Sequence, residues 1–99
     1  MKFTGTIQEI GEEVSVVRKD GGIARRKDFI VVESSNEEYP PSIAMSVWDD
    51  RIEELAKIDR AKVCNFYYRA RARSYDTSTA SEPRRQFFND LRCYRIEVL

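Results

Sequence analysis

Histidine is absent from this 99-residue chain; cysteine occurs twice, tryptophan once, proline three times and glycine four times. Without an imidazole no thiol-plus-imidazole metal site can be assembled, and a frequent catalytic base is missing. An enzyme built here would have to work through carboxylate pairs such as Glu12-Glu13 or Glu37-Glu38, and adjacent carboxylates are ordinarily a solvated face. There is no Gly-rich phosphate loop and no internal repeat. No apolar run opens the chain, so neither a secretory signal nor a membrane span is expected, and a cytoplasmic location is. The sequence therefore reads as a non-enzyme without metal or cofactor.

What is present suffices for one domain over residues 1–99: 41% of residues are hydrophobic and 11% aromatic, enough for a compact core without staples. The formal net charge is zero, from 17 basic and 17 acidic residues. Their distribution is uneven. Residues 60–95 hold nine basic and three acidic side chains, leaving eight and fourteen elsewhere, so one stretch is strongly cationic and the remainder equally anionic. A partner responds to the local field more than to the sum, and a net-zero molecule steers weakly at long range, so binding to nucleic acid should be modest and salt-sensitive.

Residues 3–7 alternate as a strand, continuing past a break near Gly11 to Lys19; Gly5 sits where a strand of a small barrel can bend. Asp20-Gly21-Gly22 predicts a hairpin turn, Ile23 to Glu33 a second strand, and Ser34 to Glu38 a polar loop. Tyr39-Pro40-Pro41 leads into a third strand from Ser42 to Trp48. Asp50 and Glu53 have capping-box spacing, and Ile52, Leu55 and Ala56 follow at helical intervals, predicting one short helix from Asp50 to Lys57.

From Lys62 to Tyr75 a period of two sends Asn65, Tyr67, Arg69, Arg71, Arg73 and Tyr75 to one face, and Cys64, Phe66, Tyr68, Ala70 and Ala72 to the other. A loop over Asp76 to Pro83 and a closing strand complete the chain. Cys64 and Cys93 fall on inward positions as near neighbours, read as small core hydrophobes that form a disulfide only under oxidation. Phe87 and Phe88 adjoin, so one is expected in the core and the other outside. The fold class is all-β: five strands with one short helix between strands 3 and 4, the order of an OB-fold barrel.

Lys2-Phe-Thr-Gly-Thr-Ile7, Phe29, Tyr39-Pro40, Val47-Trp48-Asp49 and Asn89-Asp-Leu-Arg-Cys-Tyr-Arg-Ile-Glu97, in that order, resemble single-stranded DNA-binding proteins and, most closely, an uncharacterised bacterial family of OB domains related to them. The hairpin loop between Arg73 and Arg85 is longer and richer in Ser and Thr than in that family. The resemblance implies single-strand binding, DNA ahead of RNA. It also implies a homo-oligomer, a dimer, joined through the first strand or the edge near Tyr39-Pro40-Pro41.

The residues support the same reading, because a generic single-strand site needs a cationic groove that tracks phosphates and aromatic faces for bases. Arg25, Arg26 and Lys27 flank the first hairpin; Arg69, Arg71, Arg73, Arg84, Arg85 and Arg92 belong to the second. Trp48, Tyr67, Tyr75 and Phe88 are the aromatic candidates. Each has a structural counterpart: the arginines as the solvated face of a strand, the first-hairpin cations paired with Asp20, Asp28 or Glu33, and Trp48 as a barrel-end residue. The competing function is a protein-interaction module whose basic face meets an acidic surface and binds no nucleic acid.

Overall fold

In the computed structural model, residues 1–76 and 84–99 are described, Tyr75 by its backbone alone; the predicted loop lies outside them from residue 77 onward. The elements are β1 (Lys2–Val17), β2 (Ile23–Glu33), β3 (Ser42–Trp48), α1 (Asp50–Ala56), β4 (Cys64–Asp76) and β5 (Arg85–Val98). The five strands form one sheet that closes on itself in the order β1-β2-β3-β5-β4, with β4 returning to β1. All pairings are antiparallel except the single parallel bridge between Ser46 and Arg92.

Closure sends the apolar alternate residues inward. Ile7, Phe29, Val31, Met45, Val47, Cys64, Phe66 and Cys93 form one buried cluster, to which α1 adds Ile52 and Leu55. Phe29 and Phe66 face each other across it, with ring centroids 5.7 Å apart. Burying such side chains contributes about 1.5–3 kcal/mol each. Gly5 pairs with Glu33 on one side and Cys64 on the other, and a Cβ placed there would lie 1.9 Å from the Val32 carbonyl oxygen. Close approach of β2, as well as bending, explains this glycine.

Two register shifts in β1, between Ile7 and Glu9 and between Ile10 and Glu13, carry the strand through the break expected near Gly11 without ending it. The turn that follows uses one residue with positive φ, Gly21 at 88°, while the Asp20 carboxylate accepts the Gly22 N–H at 2.8 Å.

Both long hairpins outrun the ring. Beyond Arg69 the β4–β5 ladder continues to Asp76 and Arg85 with no third strand among the described residues, and at the tip of the first hairpin Val17 and Ile23 pair with both side chains exposed. The radius of gyration, 16.0 Å, accordingly exceeds the ~13 Å of a compact chain of this length. These arms overturn one expectation: Phe87 and Phe88 are both exposed, at 77% and 49%, because neither face of the outer hairpin meets the core. Ala70 and Ala72 are exposed for the same reason.

Two further expectations are corrected. Cys93 lies opposite Tyr68, whereas Cys64 lies opposite Val98, four residues along β4. At ~3.3 Å per residue that is roughly 13 Å, too far for a disulfide. Both thiols are free and buried, and burial pushes that of Cys93 up to about 11. The helix cap is Asp49, not Asp50, with φ 53° and no side-chain bond to the first turn. Its carboxylate is occupied elsewhere: Oδ1 accepts the Arg25 N–H at 3.0 Å and Oδ2 accepts Arg18 Nη2 at 2.9 Å.

Candidate nucleic-acid interface

Antiparallel pairing places directly opposed residues on the same side of a sheet. Arg69 opposes Arg92, Arg71 opposes Asp90 and Arg73 opposes Phe88, so the alternation of β4 is matched on β5. A register shift follows: Tyr67 pairs with Arg95 and Tyr68 with Cys93, leaving Tyr94 as an extra residue. This bulge brings Tyr94 and Arg95 onto the arginine face and lets Ile96 turn back against the core.

The resulting surface is a run of arginine–aromatic stacks. The Arg92 guanidinium carbon lies 4.4 Å from the centre of the Trp48 ring, with that of Arg26 at 5.5 Å. Arg69 lies over Tyr94 at 5.2 Å and Arg95 over Tyr67 at 5.0 Å; the two tyrosine rings are 6.4 Å apart. Trp48 is fixed from below, since its Nε1–H donates to Ser46 Oγ at 3.1 Å and that hydroxyl donates to the Leu91 carbonyl at 3.4 Å. The aromatic rings therefore support cations. A guanidinium carried over a ring still has N–H donors with which phosphate can be bound bidentately.

Between these stacks lies a cleft of about 340 Å³ lined by Trp48, Arg69, Arg71, Arg73, Arg92 and Asp90. Asp90 joins Arg26 Nη2 at 3.4 Å and Arg73 Nη2 at 3.5 Å. Arg69, Arg71 and Arg92 have no carboxylate partner among the described residues, so the cleft keeps a clear positive excess.

The other residues singled out from the sequence are distributed more widely. Arg25 leaves the track: its guanidinium meets Glu53 at 2.7 Å and Glu13 at 3.4 Å. The Arg25–Glu53 bond raises the pKa of Arg25 and holds that of Glu53 below its usual range. Arg26 also bonds Asp28 at 2.9 Å, one of the partners considered for the first-hairpin cations. Lys27 is half-buried opposite Val47. Phe88 lines a second hollow beside Arg26 and Arg73, Arg85 begins β5 opposite Asp76, and Arg84 immediately precedes it. The side chain of Tyr75 lies outside the description. Asn65, assigned to the arginine face by parity, is buried and bonded to Thr4 and Glu97 at 2.6 and 2.9 Å.

Tyr94, Arg95, Ser46 and Asp90 were not among the sequence candidates. The first two had a signal: Cys93-Tyr94-Arg95-Ile96 places two polar-faced residues between two apolar ones, the pattern of a bulge. Ser46 had none, because its role depends on where β5 passes.

Among the described residues no helix is long and apolar enough to cross a membrane, and no cluster of three or more acidic or cysteine side chains could hold a metal ion. Residues 2–97 match the family described as a domain of unknown function, DUF3127, and the chain belongs to it. No curated protein matches.

Proposed function

We propose that this member of the DUF3127 family is a non-enzymatic, OB-type module that binds single-stranded nucleic acid, DNA ahead of RNA. The closed strand order with a helix between β3 and β4 supports the OB reading, and an OB barrel presents such ligands on one face and through its loops. The observation that carries the function is the set of three arginines, Arg69, Arg71 and Arg92, that converge on one cleft without a carboxylate partner among the described residues. Phosphates are captured along β4 and β5, and bases stack on the guanidinium–aromatic layers beside them, with little sequence preference along the track. A homo-oligomer, a dimer, would lengthen this short track.

The test is fluorescence anisotropy of a labelled thymidine oligonucleotide against a duplex control at several salt concentrations, with an Arg69→Ala, Arg71→Ala, Arg92→Ala triple variant. Preference for the single strand, a salt slope of about −0.7 per phosphate contacted, and loss of binding in the variant are expected. Absence of binding at low salt rejects the proposal. The charge segregation of a net-neutral chain favours the second reading, an interaction module whose basic face meets an acidic protein surface.

A further inference from the structure

Among the described residues Asp90 is the single carboxylate lining the Trp48 cleft, and a cleft serving phosphate alone would be better without it. Its side chain is 17% exposed. Each carboxylate oxygen has two acceptor positions, and the contacts to Arg26 Nη2 and Arg73 Nη2, at 3.4 and 3.5 Å, engage each oxygen once. Among the described residues acceptor capacity therefore remains on both oxygens, in a cleft that Arg71 and Arg92 also line. A phosphate in contact with Asp90 would be repelled. A group with two adjacent N–H donors on one edge and acceptors on another would be held by both charges at once.

Resting on the single-strand reading above, we infer that this cleft is a base-reading position selective for guanine. Guanine presents N1–H and the N2 amino group side by side, which fit the two oxygens of a carboxylate. Its O6 and N7 are the acceptors that an arginine fork takes up. Adenine and cytosine place a single amino group beside a ring acceptor, and thymine flanks its one N–H with two carbonyls, which the carboxylate repels. The rest of the track holds the backbone and tolerates any sequence, so the chain would combine general single-strand affinity with one selective position.

The experiment measures anisotropy of labelled thymidine oligonucleotides of about 12 nucleotides, within the span of one such domain. One probe is all thymidine; in the others deoxyguanosine, or deoxyinosine lacking the N2 amino group, replaces several separated thymidines. The unaltered protein should bind the guanosine probe roughly tenfold more tightly than the thymidine probe, with inosine between them. Asp90→Asn should abolish that difference, and thymidine binding should tighten as Arg26 and Arg73 are released. Equal binding of the guanosine and thymidine probes, or a difference that survives Asp90→Asn, overturns the inference alone. Failure to bind any probe overturns it together with the single-strand reading.

Discussion

Asp49 and Arg25 bond each other twice: the Asp49 N–H donates to the Arg25 carbonyl at 3.0 Å, and the Arg25 N–H donates to Asp49 Oδ1 at 3.0 Å. Asp49 follows Trp48 directly and is the only described non-glycine residue with positive φ, at 53°. Such a conformation persists where surrounding bonds over-determine it. The pair thus fixes the turn from β3 into α1 and anchors the backbone beside the ring on which Arg92 rests.

The same bond lowers the pKa of Asp49, and the Arg25 guanidinium lowers that of Glu53. A carboxylate whose folded pKa is depressed contributes stability that is complete above its unfolded value, ~4, and is lost as pH falls through the folded one. The urea midpoint should be flat above about pH 5 and fall below about pH 4. Asp49→Asn should lower the midpoint at neutral pH and reduce that acid-side fall.

Gly5→Ala should be strongly destabilising, because the new methyl group meets the Val32 carbonyl rather than a yielding side chain. Overpacking typically costs about 1–3 kcal/mol, or a fall in Tm of roughly 5–20 °C for a chain of this size. A Tm within a degree or two of the parent would disprove the close approach of β1 and β2.

Phe66→Ala and Phe87→Ala remove the same group from opposite environments, one fully buried and the other 77% exposed. The first should cost about 3–5 kcal/mol and the second less than about 0.5 kcal/mol. Chemical denaturation of the two variants decides it.

Trp48→Leu should weaken oligonucleotide binding by about two- to fivefold, the scale of an exposed cation–π contact, by releasing Arg92 and Arg26 from their support. The salt slope should change little, because the cationic side chains of the cleft remain. A loss as large as that of the triple arginine variant would make the ring itself the principal contact.

Cys93 should resist alkylation at pH 8 in the native protein and react once unfolded, since its thiol is buried with a pKa raised to about 11. Counting labelled thiols before and after denaturation tests this, and the unfolded chain should show two free thiols rather than a disulfide.

By itself the sequence determined the succession of five strands along the chain, the short helix after Trp48, the alternation that loads β4 with arginine, and the hairpin turn at Gly21. Each follows from a periodicity or a backbone preference that acts over a few residues. Tertiary structure decided what depends on the neighbouring strand. Closure of the ring left the outer β4–β5 hairpin without a core beneath it, exposing both Phe87 and Phe88. The bulge at Tyr94 moved Arg95 onto the arginine face, and the crossing of β3 and β5 put Arg92 on Trp48. Strand alternation gives each side chain a direction, but a register shift reverses that direction. Only the paired strands fix the register.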